Sequence, residues 1–307
     1  MASIIFMGTP EFAVPSLKAL IEAGHDVTLV VTRPDRPKGR GHAVSPPPVK
    51  EFALSQGIRV IQPAKLKGAE FIRELKAVNP DFIAVVAYGR ILPNAVLEVP
   101  KIAPVNVHAS LLPELRGASP IAWAIINGET ETGVTTMIIS EGLDEGDILL
   151  SKRAGILEGD TTESLGRKLS ILGASLLVKT IEGMLEGKIK RIPQTGRATY
   201  APQLKKEDGR VDWTMTAGEI FNFVRGMHPW PGAHSKIDDE TIKLLKVIAS
   251  EGAASPGVVH AVTKEAIVVG TGGGRISVLE VKPEGKKAMA ARAYLQGRNI
   301  KEGMVFK

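Results

Sequence analysis

Cysteine is absent from all 307 residues, which removes disulfides, thiolate nucleophiles and cysteine-ligated zinc and fits a reducing compartment. Any nucleophile must come from another side chain or from a substrate. No apolar run reaches the roughly 20 residues needed to span a bilayer. The amino-terminal stretch MASIIFMGTPEF has no basic leader, so a soluble, cytoplasmic protein without a membrane partner is expected. No repeat of fixed period and no long low-complexity tract is visible. No ligand spacing such as H-x-x-x-H appears, and no metal is expected. The first strand-to-helix turn, MGTPEF, has a single glycine, whereas a dinucleotide site uses several to bring backbone against a pyrophosphate. That argues against a nicotinamide cofactor.

What is present is ordinary globular composition, 44% hydrophobic and 23% charged. The length suits two domains at about 150 residues each. Short β-rich runs (SIIFMG, DVTLVVT, IRVIQ, DFIAVVAY, APVNVH) alternate with helical stretches, as in a parallel sheet covered by helices. An amphipathic stretch from Thr162 to Leu185, with Asp160, Thr161 and Thr162 as capping candidates, closes this doubly wound α/β part, taken as residues 1–185. Residues 186–206 read as a basic linker. From 207 to 307 the runs TIKLLKVIA, PGVVHAV, AIVVGT and RISVLEV are short strands split by Gly/Pro turns, which predicts a small barrel or sandwich. GTGGGR, from Gly270, lies between two of these runs without a following helix and reads as a hairpin loop.

The formal charge is +6 with a pI near 9.4. It is concentrated in two stretches. RPDRPKGRGHAVSPPPVK, residues 33–50, holds five Lys/Arg against one Asp, and residues 186–206 hold six against one Glu. Such runs are either solvated loops or contacts for a polyanion.

In PVNVHAS the strand period puts Val105, Val107 and Ala109 on one face and Asn106, His108 and Ser110 on the other. Ligands of open α/β sheets bind at the carboxyl edge, so Asn106 and His108 project toward one cleft. An amide can donate to a developing oxyanion, and an imidazole can move a proton near neutral pH. Asp144, in the glycine-flanked turn SEGLDEGDI, is the candidate to orient the imidazole. Strand-end polar groups can equally be satisfied by backbone, and acidic turns are common.

NVHASLLPELRGASPI resembles the signature of the folate-dependent formyltransferases, and the resemblance extends from MGTPEFAVPSL through TRPDRPKGRG and LDEGDI to GKKAM. It implies Asn106, His108 and Asp144 as the catalytic group. Ser110, Leu111, Leu112 and Pro113 would then line the folate site, with Tyr88, Leu92 and Pro93 of VVAYGRILP near the pteridine. The fold implied is a Rossmann-like catalytic domain followed by a β-barrel of oligonucleotide-binding type that binds tRNA. The implied donor is 10-formyltetrahydrofolate and the acceptor is initiator methionyl-tRNA, contacted by Arg40 and, as a looser match, by Arg36 and Lys38. A monomer is expected from the family. Hydrolysis of the same folate, formylation of a small amine, and tRNA binding without catalysis are the rival readings.

Overall fold

The computed structural model describes residues 1–38 and 43–307, leaving the side chains at 37, 38, 43 and 44 outside the description. Chain contacts divide it into two compact units. One holds Met1–Pro120, Thr132–Gly155 and Gly166–Pro202; the other holds Ile121–Glu131, Ile156–Leu165 and Gln203–Lys307.

The first unit opens with β1 (Ser3–Gly8), α1 (Val14–Glu22) and β2 (Asp26–Val31). Next come the short pair β3 (Arg36–Lys38) and β4 (Ala43–Ser45), then α2 (Pro48–Ser55), β5 (Arg59–Ile61), α3 (Ala69–Val78) and β6 (Phe82–Val86). In chain order they are followed by α4 (Asn94–Leu97), β7 (Ala103–His108), α5 (Pro120–Ile126), β8 (Glu131–Ile138), β9 (Ile148–Gly155) and α6 (Thr162–Leu185), of which α5 beyond Pro120 and the first turn of α6 belong to the second unit. Seven strands form one sheet in the order β5-β2-β1-β6-β7-β8-β9. From β5 to β7 every pairing is parallel, and β8 runs antiparallel to β7.

The parallel strands are buried on both faces, which is why they read as continuous apolar runs. All of β6 is buried. Helices cover the sheet through single stripes: α3 buries Phe71 and Leu75, one turn apart, and ends at Asn79 with φ 53°. Phe71 and Leu75 pack with Ile5, Met7, Leu29, Ile83 and Val85. On α6, Gly173 permits close approach, since a Cβ there would lie 2.9 Å from Val107 Cγ1. The helix start is fixed reciprocally: Ser164 N–H donates to Thr161 Oγ1 at 3.2 Å, and Thr161 N–H donates to Ser164 Oγ at 3.0 Å.

The second unit contains α7 (Ala217–Gly226) and an antiparallel sheet of six strands. These are β10 (His234–Ile237), β11 (Glu240–Ser250), β12 (Val259–Val262), β13 (Ile267–Gly270), β14 (Arg275–Pro283) and β15 (Met289–Ala290), with α8 (Ala291–Gln296) after them. The order is β10-β11-β14-β13-β12, with β15 on β14. Register shifts around Lys246 interrupt the β11–β14 ladder, as bulges do where a sheet bends. The sheet forms a half-barrel, and the carboxyl-terminal segment touches both of its edges: Phe306 bridges Ile237, and Val305 bridges Val258. Ile220, Phe223 and Val224 of α7 join the core with Val247, Ile276 and Val278. Trp213 packs on Phe306 with ring centroids 5.4 Å apart. The glycine-rich run from Gly270 is the hairpin loop between β13 and β14, which pair Gly270 with Arg275.

Among the described residues no helix is long and apolar enough to cross a membrane.

Candidate active site

Strand β7 sets two polar side chains on the face opposite α6. Val107 meets the helix at Gly173, so Asn106 and His108 point the other way. Asn106 is half-buried, and its side-chain amide makes no hydrogen bond among the described residues. It is therefore free for a ligand oxygen. His108 is buried, with its Nε2 3.0 Å from the Leu115 carbonyl and its Nδ1 3.6 Å from Asp144 Oδ2. Both ring nitrogens face oxygen atoms, the carbonyl at hydrogen-bond distance and the carboxylate at ion-pair distance.

Asp144 arrives by a less direct route than a shared sheet edge. Because β8 is antiparallel, Ile138 pairs with Val105 rather than with His108. The turn after β8 therefore starts upstream of the imidazole and folds back over the sheet face to reach it. The turn is tightly specified. Asp144 has φ 53°, an uncommon conformation for a residue with a side chain. A Cβ at Gly146 would lie 1.9 Å from the Ile138 carbonyl. The Gly117 N–H donates to Asp144 Oδ2 at 2.8 Å, which aims the carboxylate.

The loop after β7 is built by its own polar groups. Ser110 is buried, and its hydroxyl donates to the Glu114 carbonyl at 2.6 Å. Thr135 Oγ1 donates to the Ser110 carbonyl at 2.7 Å and accepts from Leu112 N–H at 3.2 Å. Leu111 and Pro113 are half-buried, Leu112 is buried, and the Leu112–Pro113 peptide is cis. In the loop after β6, Tyr88 and Leu92 lie in the cluster that includes Val96, while Pro93 is half-buried. Burial pushes the Tyr88 hydroxyl above its ordinary value, with Arg90 and Arg33 pulling the other way. Ile91 of the same loop is 86% exposed, the one large apolar side chain there that stays open.

The structure thus brings His108 and Asp144 together, with Asn106 on the same strand face as His108. Arg36 is exposed at the start of β3. Arg40 and the side chain of Lys38 lie outside the described residues. Sequence reasoning missed the groups that hold the pair: the Leu115 carbonyl, the Gly117 amide and the residues that fasten both. The structure explains the glycine at 117, since a Cβ there would fall 2.7 Å from the Ala201 carbonyl. Gln194 accepts from Arg116 and donates to the Asp144 turn, and nothing local in its sequence announces this.

An amide beside an imidazole–carboxylate pair, on an α/β sheet followed by a β half-barrel, is a set of groups able to hold a carbonyl oxygen and move a proton, as group-transfer enzymes require. Residues 1–181 match the family described as formyl transferase, and residues 203–299 match its C-terminal domain. The chain belongs to the formyltransferase family. It is similar to the methionyl-tRNA formyltransferase of Thermodesulfovibrio yellowstonii, 54% identical over 303 residues covering 99% of this chain and 98% of that one. It is similar also to that of Pelotomaculum thermopropionicum, 52% identical over 98% of this chain and 97% of that one. Among solved structures, an N-formyltransferase from Helicobacter canadensis in complex with folinic acid and dTDP-3-aminofucose shares the fold. Its TM-score is 0.68 and its identity 21%, over 91% of this chain and 99% of that one.

Proposed function

We infer that this protein moves the formyl group of 10-formyltetrahydrofolate onto the amino group of initiator methionyl-tRNA, in the cytoplasm and as a monomer. The observation that carries the reading is similarity over the full length, across both units, to proteins with this activity. The site geometry supplies its chemistry. The apolar lining of Leu111, Leu112 and Pro113 beside a free Asn106 amide fits a flat folate with a polar carbonyl to be held. Ser110 shapes that loop, and Tyr88, Leu92 and Pro93 support the neighbouring one.

No cysteine or metal nucleophile is needed, because the attacking nitrogen belongs to the substrate. An α-amine has a pKa of about 7.7–8.0, so roughly a tenth is neutral at pH 7. Asn106 donates its amide N–H to the formyl oxygen as charge develops there. His108 takes the proton that the nitrogen loses and returns one to the departing folate nitrogen. To do so, the neutral ring carries its proton on Nδ1, toward Asp144, and Nε2 leaves the Leu115 carbonyl to accept from the substrate amine. Asp144 offsets the positive charge the ring then carries.

An RNA acceptor agrees with the charge. On the half-barrel, Lys243 pairs across strands with His234 and Lys282. Its ammonium is held below its ordinary value by burial, and further by Lys282 and Lys206. Such crowding of cations suits phosphates. Arg36 is exposed on the first unit, and the sequence adds Arg40 and Lys38 in the same basic stretch.

The decisive assay is incubation with labelled 10-formyltetrahydrofolate and charged initiator tRNA. Label in formylmethionyl-tRNA is expected. Label released only as formate, or transferred only to an amino sugar, would overturn the reading, as would stoichiometric tRNA binding without turnover.

A further inference from the structure

The segment 194–201 forms a brace along the catalytic loops of its own unit, and its first residue carries the most specific contacts. Gln194 sits between two partners with its amide fully used. Its Nε2 donates to the Asp144 carbonyl and to the Gly146 carbonyl, both at 2.8 Å. Its Oε1 accepts from Arg116 Nε at 3.1 Å and from Arg116 Nη2 at 2.7 Å. Two donors and two acceptor positions exhaust what the amide offers. The two carbonyls flank Glu145, which itself pairs with Arg116 at 3.3 Å.

These bonds act where the backbone needs help. Asp144 holds φ 53°, a conformation that persists only where the surroundings over-determine it. Gln194 supplies that constraint from the carbonyl side, while the Gly117 amide fixes the carboxylate itself. The same segment steadies the other partner of the imidazole. Thr199 Oγ1 accepts from the Leu115 N–H at 2.8 Å, and the Leu115 carbonyl faces His108 Nε2. The Ala201 N–H also donates to the Arg116 carbonyl at 2.7 Å.

We propose that Gln194 is a positioning residue for the His108–Asp144 pair, acting through the carbonyls of Asp144 and Gly146. The proposal rests on the reading of that pair as the proton-handling group. Glutamate at this position is the sharpest probe. Its carboxylate still accepts from Arg116, so the brace stays in place. It cannot donate, and it sets negative charge against two carbonyl oxygens.

The test compares wild type, Gln194→Glu, Gln194→Ala, Asp144→Asn and the double variant Gln194→Glu/Asp144→Asn in the full chain, by steady-state formylation and thermal melting. Partners that orient functional groups typically cost about 10- to 100-fold when removed. Gln194→Glu is expected to lose about that much in kcat, with KM for folate and for tRNA changed less than about threefold and the melting temperature kept. In the Asp144→Asn background the same substitution should cost less than about threefold, because there is no carboxylate left to place. Wild-type kcat in Gln194→Glu and Gln194→Ala would overturn the proposal alone, as would equal losses in both backgrounds. Full turnover by Asp144→Asn would instead overturn the catalytic reading, and the proposal with it.

Discussion

Asn106 and His108 share a strand face, yet the fold holds them differently. The amide has no hydrogen-bond partner among the described residues, whereas the imidazole lies between a carbonyl and a carboxylate. Removing one oxyanion donor costs about 100- to 1000-fold and a general acid/base about 100- to 10,000-fold. Asn106→Ala and His108→Ala are each expected to lower kcat by at least about 100-fold with little change in KM for tRNA. Near-normal turnover by either variant removes that residue from the mechanism. His25 offers a residue-scale prediction about stability. It is buried between α1 and β2, accepts from the Ala2 N–H at 3.3 Å, and leaves Nε2 unpartnered. Burial, and then the positive amino terminus, hold its pKa below the ordinary 6.5, against an upward pull from Glu182. A depressed value means the unfolded chain binds the proton first. The stabilisation is then complete above the unfolded value of about 6.5 and fades as pH falls through the folded one. His25→Asn retains an acceptor for Ala2 and loses the titration. Urea unfolding at pH 7.5 and 5.5 should show a smaller acid loss in His25→Asn than in wild type; equal losses would rule out His25 as the cause.

At the scale of elements, strand β7 depends on what lies behind it. Gly173 lets α6 rest on Val107 and Val134, so the polar face of β7 is placed by a packing contact on the opposite face. Overfilling a packed core costs about 1–3 kcal/mol. Gly173→Leu is expected to lower unfolding free energy by about that amount and to reduce kcat through a shifted β7; chemical denaturation and turnover together check it, and unchanged values in both would show that the contact is slack. This strand was also the most legible part of the chain. The period-2 pattern of residues 105–110 and the 162–185 helix are both written locally, in alternation and in caps. The β3–β4 pairing fell inside what read as a basic loop, and β15 with α8 had no strong periodicity to announce them. The antiparallel sense of β8 depends on pairing with β7, which no local pattern states. The brace was illegible for the same reason: Arg116 and Gln194 are 78 positions apart, and Leu115 and Thr199 are 84 apart. Gln194 and Thr199 are ordinary polar residues in a basic stretch until the fold brings them to the site.

For the whole molecule, the question is what the charge of +6 is for. Composition alone allows a solvated surface or a polyanion partner, and salt distinguishes them. Each phosphate neutralised by a cation contributes about −0.9 to the slope of log affinity against log salt on a duplex. A folate site of the proposed kind, lined by apolar residues, has little such counterion release to lose. Raising salt should therefore increase KM for charged tRNA steeply while KM for 10-formyltetrahydrofolate changes little. Arg40, the tRNA contact expected from the 33–50 stretch, lies outside the described residues, so its role has to be read from kinetics. Arg40→Ala is expected to raise KM for tRNA, to reduce the salt slope by about 1, and to leave folate KM and melting temperature unchanged. A slope identical to wild type would take Arg40 off the RNA surface. A flat slope in the wild-type protein would leave its positive charge without a polyanion to meet and remove the electrostatic support for an RNA acceptor.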